Sequence, residues 1–269
     1  MSRIQFFEFE DQQWLPIGIR NGITDFIQFA VVRSNLYDRF LPRLVSAIRR
    51  SGSSSVVDLC SGAGGPWSSL LPTVRELAGM PRLTLCLTDL FPNRPALGAL
   101  AKLDPAGLTR SADFSVSATK VPDDLRGFRT LFSSFHHFPE QAASEILADA
   151  IRHRQGICIA ESTQRHPLLI AYMLLTPALV LLSSPFQKPF RWSRMFWTYI
   201  VPAVPLAVMF DGVVSCLRTY SPQELLSLCR NIPGHESFDW DAGIERIGKL
   251  PIGVTYLIGL PKTSQSLTE

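Results

Sequence analysis

The chain has 269 residues, enough for one large α/β domain with a full hydrophobic core. Its formal net charge of +3 argues against nucleic acid as a partner, because electrostatic binding to phosphates needs a much stronger basic excess. Its five cysteines show neither a CxxC pair nor Cys/His ligand spacing. This pattern argues against a zinc module and favours reduced, buried thiols.

The first 50 residues are predicted to be helical. Residues 1–14 carry acidic side chains where a secretory signal would need an apolar run, so we expect a cytoplasmic protein. Residues 23–50 place apolar side chains at helical spacing, and Pro42 interrupts them. Two amphipathic helices are therefore expected in an N-terminal segment, 1–50, ahead of the main core.

Strands and helices then alternate along the chain. Apolar runs predict strands at 55–60, 82–89, 113–119, 128–135 and 156–162, and helical periodicity predicts helices at 66–79, 92–103 and 140–154. Strands separated by crossover helices form a mostly parallel sheet with right-handed connections. Two further strands are predicted at 235–243 and 253–261, preceded by a helix whose Ser221 and Glu224 form a capping box.

The alternation stops at residues 165–218, where hydrophobic residues concentrate. No Lys, Arg, Asp or Glu occurs from 166 to 187, a 22-residue interval close to the roughly 20 residues that span a bilayer. Pro177 and Pro185 lie inside it and argue against a continuous span. We expect a hydrophobic helical insertion, with Asp211 and Arg218 paired at its end.

Two interpretations of this insertion stay open. It folds over the site as a hydrophobic lid and substrate pocket, or as a dimer contact. Alternatively, residues 168–210 rest on a membrane surface. The side chains expected at that surface are Trp192, Trp197 and Tyr199 at the interface, and Lys188, Arg191 and Arg194 near anionic headgroups.

The sequence VVDLCSGAGGPW, residues 56–67, predicts a ligand-binding turn. A strand followed by a glycine-rich turn and a helix presents backbone N–H groups to a ligand. In the dinucleotide fingerprint GxGxxG, the third glycine would fall on Trp67, whose indole would obstruct close packing of helix on strand. A nicotinamide cofactor is therefore the weaker alternative.

The same turn resembles motif I of the class I S-adenosylmethionine (SAM)-dependent methyltransferases. Asp58 is followed at alternate positions by Cys60, Gly62 and Gly64, with cysteine in place of the first glycine, and Asp89 ends the second predicted strand. The resemblance covers 36–164 and 219–262. It implies a doubly wound, seven-stranded, mostly parallel sheet with a reversed C-terminal strand. It also implies a SAM-binding core, 51–164, which 219–262 complete, with a polar tail at 263–269.

The resemblance also implies which residues contact the cofactor. Gly62 to Gly64 would hold the amino-acid end of SAM, Asp89 the ribose hydroxyls, and Phe91 would stack on the adenine. The full implied set is Tyr37, Asp58, Gly62, Ala63, Gly64, Asp89, Leu90, Phe91, Ser117, Ala118, Ser133 and Phe135.

Three residues are candidates for acid or base catalysis. His136 and His137 follow the fourth strand, and Glu161 ends the fifth. The alternatives are loop packing for the histidines, only one of which is expected to point inward, and structural hydrogen bonding for Glu161. We expect no metal site, because no compact His/Asp/Glu constellation accompanies the histidine pair in the sequence.

The resulting hypothesis is a SAM-dependent methyltransferase. The Asn/Asp-Pro-Pro-Tyr and Pro-Cys signatures of enzymes that methylate nucleic-acid bases are absent, and the hydrophobic insertion favours a hydrophobic small-molecule or lipid-like acceptor, at a membrane surface in the second interpretation. The alternative is a catalytically silent SAM-fold protein that serves as a membrane-associated or partner-binding module. The oligomeric state, including a homodimer, stays open.

Overall fold

The computed structural model describes residues 2–104, 106, 109–112 and 115–262, so the predicted tail, 263–269, lies outside the described residues. The helices are α1 (Ile17–Ser34), α2 (Leu41–Ser51), α3 (Trp67–Ala78), α4 (Arg94–Leu103), α5 (Glu140–Arg152), α6 (Pro167–Met173), α7 (Thr176–Ser183), α8 (Trp192–Met195), α9 (Ala203–Arg218) and α10 (Pro222–Arg230). The strands are β1 (Ser55–Asp58), β2 (Thr84–Leu87), β3 (Thr109–Ser111), β4 (Phe128–Phe132), β5 (Ile157–Glu161), β6 (Phe238–Arg246) and β7 (Gly253–Pro261).

Within the described ranges, one sheet of seven strands has the order β3-β2-β1-β4-β5-β7-β6. Strands β1 to β5 pair in parallel, whereas β7 runs antiparallel to both β5 and β6. Every residue of β4 and β5 is buried, as expected of strands covered on both faces. The predicted α/β class and its reversed C-terminal strand are confirmed.

Helices cover both faces of the sheet. Along β1, Val56 faces the cluster built with α2 and α3, and its neighbour Val57 faces the cluster built with α5 and α10, because successive strand residues point to opposite faces. The capping box predicted at the start of α10 is present, with both the Ser221 and Glu224 hydrogen bonds formed.

The N-terminal helices differ in detail from the prediction. Helix α1 begins at Ile17, earlier than expected, and packs with α7 and α9 in a third apolar cluster. Pro42 lies in the first turn of α2 and starts that helix instead of interrupting one, because the first helical N–H groups need no intrahelical acceptor.

The third predicted strand, 113–119, is wrong. Strand β3 lies earlier, at Thr109–Ser111, and pairs with β2. Residues 117 and 120 form only an isolated bridge. Val116 and Ala118 are buried beside it without forming a strand. The alternating apolar residues therefore resembled a strand pattern although they lie in a buried turn. Residues 113 and 114 of that prediction lie outside the described part of the chain.

Helices α6 to α9 lie between β5 and α10, which confirms the hydrophobic helical insertion. In the described residues, no single helix is long and apolar enough to cross a membrane. Two helix pairs reach the required length and hydropathy only together, and they are bent by 44° and 80°.

Three side chains expected at a membrane surface are placed otherwise. Arg191 donates to Asn93 Oδ1 at 2.9 Å and lies 3.5 Å from Asp25. Arg194 is 1% exposed and binds Asp25 at 2.6 Å. Trp197 packs against the α1 cluster. By contrast, the Trp192 side chain is largely exposed. The helical register explains the difference, because side chains three and four residues apart share a face of the segment, and those on the inner face contact α1.

Candidate functional site

A cleft of about 250 Å³ lies at the carboxyl ends of β1, β2 and β4. Ligands of open α/β sheets bind at this edge, where the strand order reverses between β1 and β4. The cleft is lined by the turn after β1, the exits of β2 and β4, helix α1 and the N-terminal residues Glu10 and Asp11. A larger cavity of about 500 Å³ between α3 and α4 lies on the outer side of those helices, and its Arg75 and Asp104 pair with each other at 2.7 Å.

The turn after β1 is held by the buried carboxylate of Asp58. Its two oxygens accept hydrogen bonds from the hydroxyl groups of Ser61 and Thr130, both at 2.6 Å. Burial raises the pKa of Asp58 to about 6. Asp58 therefore orients the turn, one of the two roles that the sequence suggested for it.

The backbone of this turn is left-handed at several positions. Gly62 and Gly64 have φ of +54° and +104°, which glycine adopts without steric cost. Cys60, at the position of the first motif glycine, has φ of +56°, in the left-handed region that favours glycine. A side chain at this φ is strained.

Asp89 connects the turn after β1 to the exit of β2. One of its carboxylate oxygens accepts the N–H of Gly62 and the other that of Phe91, each at 2.7 Å. The side chain is half-buried and lines the cleft, with Leu90 exposed beside it. A carboxylate has about four acceptor positions, so each oxygen can accept a further hydrogen bond from a ligand.

Phe91 lines the cleft, but one face of its ring is covered. The guanidinium of Arg20 lies 4.4 Å from the ring centroid. Arg20 also donates to the backbone carbonyls of Glu10 and Gln12. This arrangement fixes the N-terminal strap, residues 8–12, across the side of the cleft where the sequence suggested an adenine.

Other implied cofactor residues divide into two groups. Ala63, Ser133 and the neighbouring Ser134 line the cleft. Outside the lining lie Tyr37, Gly64, Ser117, Ala118 and Phe135. Tyr37 lies behind Ser133, with its hydroxyl 2.8 Å from the Ser133 hydroxyl, and Phe135 is fully buried in the core.

The two adjacent histidines face different surroundings. His137 lines the cleft, whereas His136 is 2% exposed and its Nδ1 lies 2.5 Å from Glu161 Oε2. The other Glu161 oxygen accepts the backbone N–H groups of Ser134 and Phe135. Glu161 therefore positions His136 and the β4 exit from beneath the cleft.

The N-terminal strap supplies acidic residues that the sequence reasoning missed. Glu8 is 1% exposed and lies 2.8 Å from His137 Nδ1, and Asp11 Oδ1 lies at the same distance from that atom. Glu10 lines the cleft, and burial raises its pKa to about 8. The repeated alternation of acid and phenylalanine at residues 7–10 was the available signal.

The expected pair between Asp211 and Arg218 is wrong. Asp211 accepts the backbone N–H groups of Phe9 and Glu10 at 2.8 and 3.1 Å. Arg218 binds Asp11 at 2.7 Å. Helix α9 thus holds the N-terminal strap through both residues, because the strap offers backbone N–H groups to Asp211 and a carboxylate to Arg218.

No protein-family model and no curated protein matches the sequence. Among solved structures, an O-methyltransferase family protein from Burkholderia thailandensis is 16% identical, with a TM-score of 0.52 over 88% of this chain and 59% of that one. A proposed O-methyltransferase from Nostoc punctiforme is 13% identical, with a TM-score of 0.48 over 87% of this chain and 59% of that one. This chain therefore spans somewhat over half the length of either.

A Rhodobacter sphaeroides structure described as a proposed Zn-dependent alcohol dehydrogenase is 11% identical, with a TM-score of 0.51 over 92% of this chain and all of that one. The dinucleotide-binding sheet has the order 3-2-1-4-5-6 and is parallel, whereas here the antiparallel β7 separates β5 from β6. The chain has the class I methyltransferase fold. Within this methyltransferase fold, the cleft occupies the edge where the resemblance placed the cofactor.

Proposed function

We propose that the protein is a SAM-dependent methyltransferase that acts on a hydroxyl group of an apolar small molecule at a membrane surface. The observation that carries the proposal is the position of the Asp89 carboxylate. It accepts hydrogen bonds from the turn after β1 and from the exit of β2, and it also lines the cleft. The remaining support comes from the left-handed turn, the fold and the apolar surface of the insertion.

The residues of the cleft fit an adenosine ligand. Asp89 retains acceptor positions for two ribose hydroxyls, and the turn at 60–65 brings backbone close to the ligand without intervening side chains at Gly62 and Gly65. Bound SAM would supply a methyl group already activated by its sulfonium, so the protein mainly has to position the acceptor. The volume of about 250 Å³ is slightly below the roughly 300–1,000 Å³ of small-molecule sites, because the N-terminal strap and Arg20 fill one side.

The structural likeness to the Burkholderia protein, a member of an O-methyltransferase family, supports a hydroxyl acceptor. An apolar acceptor is supported by the insertion. Its large exposed hydrophobic side chains are Leu168, Tyr172, Leu174, Leu175, Leu179, Leu181, Leu182, Phe186, Phe190, Trp192, Phe196, Tyr199, Ile200, Val201 and Leu206. A concentration of exposed apolar side chains in one segment suggests an interaction site.

A lipid bilayer is the occupant that the charges favour. Residues 166–210 contain no Asp or Glu, and Lys188 is exposed among the apolar side chains. Exposed Trp192, Tyr172 and Tyr199 suit the headgroup region, where amphipathic rings are enriched. Lys188, a cation without an acidic neighbour in this segment, would be drawn to anionic lipid.

Calorimetry with the purified chain tests the cofactor. We expect SAM and S-adenosylhomocysteine to bind, and NAD and NADP to give no heat. Transfer of radiolabelled methyl from SAM to an apolar extract of the source cells then tests the reaction. Binding without transfer to any extract would favour the catalytically silent alternative, and binding of a nicotinamide cofactor alone would overturn the proposal.

Flotation with vesicles containing anionic lipid tests the surface. A double variant, Leu182→Ser with Trp192→Ser, should float at least tenfold less than the unmodified protein. The matched control is Leu77→Ser with Leu103→Ser, which removes two exposed hydrophobic side chains outside the insertion and should float normally. Equal flotation of both double variants, or a dimer without vesicle binding, would contradict the membrane part of the proposal.

A further inference from the structure

We infer that Glu8, His136 and His137 hold a divalent transition-metal ion beneath the cleft. The ligand atoms that these three residues offer all lie within 4.8 Å of one another. His137 Nδ1 lies 2.8 Å from Glu8 Oε2, and His136 Nε2 lies 3.8 Å from Glu8 Oε1. Ligand atoms around one tetrahedral ion with bonds of about 2.0–2.2 Å lie roughly 3.3–3.6 Å apart, so the 3.8 Å separation fits an ion and the 2.8 Å separation would lengthen when an ion binds.

One buried atom of this cluster, His136 Nε2, has no hydrogen-bond partner among the described residues, and the nearby Glu8 Oε2 has only His137 Nδ1, at 2.8 Å. The two residues His136 and Glu8 are 2% and 1% exposed. Buried polar atoms are almost always satisfied, so an unpaired acceptor at His136 Nε2 calls for an occupant. A cation that both atoms can ligate meets that need.

Glu161 fixes the orientation of His136. The ionised carboxylate can only accept, so the imidazole donates its Nδ1–H to Glu161 Oε2 at 2.5 Å. The Nε2 lone pair is then directed into the cluster. A carboxylate behind a histidine in this manner is the usual support for a metal-binding imidazole.

The formal charges also favour a dication. The cluster contains three carboxylates, those of Glu8, Asp11 and Glu161, and the side chain of Arg218, which lies 3.4 Å from Glu8 and 2.7 Å from Asp11. With neutral imidazoles, as metal ligation requires, these groups sum to a charge of −2. A buried excess of negative charge is costly unless it is paired, and one divalent ion neutralises it.

The remaining carboxylate oxygens are held from outside the cluster. Ser215 donates to Glu8 Oε1 at 3.1 Å, and Arg218 binds Asp11 Oδ2. Each acid is thereby turned so that its second oxygen faces His137, and Asp11 Oδ1 lies 2.8 Å from His137 Nδ1, beside the three ligands. Two imidazoles with carboxylate oxygen form a donor set that suits Zn²⁺.

The position of the ion relative to the cleft gives it a function. Asp11 and His137 line the cleft, so the ion has one open side that faces the bound molecules. If the proposed methyl transfer holds, this open position binds the hydroxyl oxygen of the acceptor and places it in the cleft. The metal site itself does not depend on that reaction, since it rests on the side chains of Glu8, His136 and His137.

The test uses the full-length, untagged chain after removal of metals with a chelator. Calorimetric titration with ZnCl₂ should show one ion per chain. His136→Ala and Glu8→Gln should weaken binding at least tenfold, and Glu161→Gln, which removes a positioning residue, about 10–100-fold. The matched control is His153→Ala, a histidine that pairs with Asp123 away from the cluster and should leave Zn²⁺ binding unchanged.

Absence of Zn²⁺ uptake by the wild-type chain would overturn the site, as would unchanged affinity in both ligand variants. If those variants fail to fold, X-ray absorption of the Zn²⁺-loaded wild type decides, because a coordination shell with two imidazoles is expected and a shell without them overturns the proposal. SAM calorimetry on the metal-free chain is separate. Cofactor binding without Zn²⁺ uptake would overturn the metal site alone, and the reverse result would overturn only the methyltransferase proposal.

Discussion

The Asp89 carboxylate accepts the backbone N–H of Gly62 at 2.7 Å and thereby ties the exit of β2 to the turn after β1. The two segments lie on neighbouring parallel strands, so one side chain both shapes the turn and faces the cleft. On the proposed function, loss of this carboxylate should weaken cofactor binding both directly and through the shape of the turn.

Asp89→Ala should reduce SAM affinity more than tenfold in calorimetry. It also leaves two backbone N–H groups without their acceptor, which costs about 1–3 kcal/mol of folding stability each when such a group is buried. Asp123→Ala is the control, because that carboxylate is exposed and bonds only to His153 among the described contacts. Unchanged SAM affinity in Asp89→Ala would rule out the ribose contact.

Cys60→Gly should stabilise the protein by about 0.5–1 kcal/mol. The left-handed conformation costs an L residue about 1–2 kcal/mol, and part of this gain is offset by the greater freedom of glycine in the unfolded chain. Urea denaturation measures the difference. Cys60→Ala is the matched control, because alanine loses the thiol but keeps the strain; equal stability of the glycine and alanine variants would contradict the strain at this position.

Asp58 should make stability depend on pH below neutrality. Burial raises its pKa from 3.8 to about 6, so the folded state holds a proton that the unfolded state has already released. The contribution of Asp58 to the free energy of unfolding is therefore greatest below pH 3.8, and it is lost as the pH rises through about 6. The loss amounts to about 3 kcal/mol, since one pKa unit corresponds to about 1.4 kcal/mol.

The comparison that isolates this effect is Asp58→Asn. Ser61 and Thr130 can either donate to or accept from the amide, so the turn can keep both hydrogen bonds. Urea unfolding of both proteins from pH 4 to pH 7 should show the advantage of the wild type over the variant shrinking as the pH rises. Parallel curves across this range would show that Asp58 titrates normally.

Arg194→Ala should destabilise the protein by about 3 kcal/mol. Arg194 and Asp25 form a buried ion pair between the insertion and α1, and removal of one partner leaves a buried charge with weaker compensation. Removing one partner of a buried pair costs about 3–5 kcal/mol. Arg191, 3.5 Å from Asp25, still compensates part of the charge, so we expect a cost near the lower value. The matched control is Arg43→Ala at an exposed pair with Glu245, which should cost less than about 1 kcal/mol. Similar losses in both would contradict the burial of the first pair.

The sheet was predictable because its strands are short apolar runs separated by amphipathic helices, and the crossover rule then leaves few topologies. Strand β3 was not predictable from the sequence. Its three residues, Thr109–Ser111, are too few to show hydrophobic periodicity, and they form a strand by pairing with β2. Local periodicity cannot detect an element that its neighbour stabilises.

The candidate site divides in the same way. The turn after β1 and Asp89 were identified because each directly follows a predicted strand, in the order and spacing that the resemblance implies. Glu8 and Asp11 could not be identified from the sequence, because they contact His137 only when α9 packs against the N-terminal strap. The expectation of no metal site rested on the sequence neighbourhood of the histidines, whereas Glu8 and Asp11, which contact them in space, lie more than 120 residues away.

The attachment of the N-terminal strap to α9 has a consequence during synthesis. Asp211 holds Phe9 and Glu10, and Arg218 holds Asp11, so the earliest translated residues of the cleft wait for partners about 200 positions later. The turn after β1 can form while the ribosome is still making the insertion. The wall opposite it closes only when the end of α9 has emerged, so a nascent chain is unable to retain a ligand until most of it has been translated.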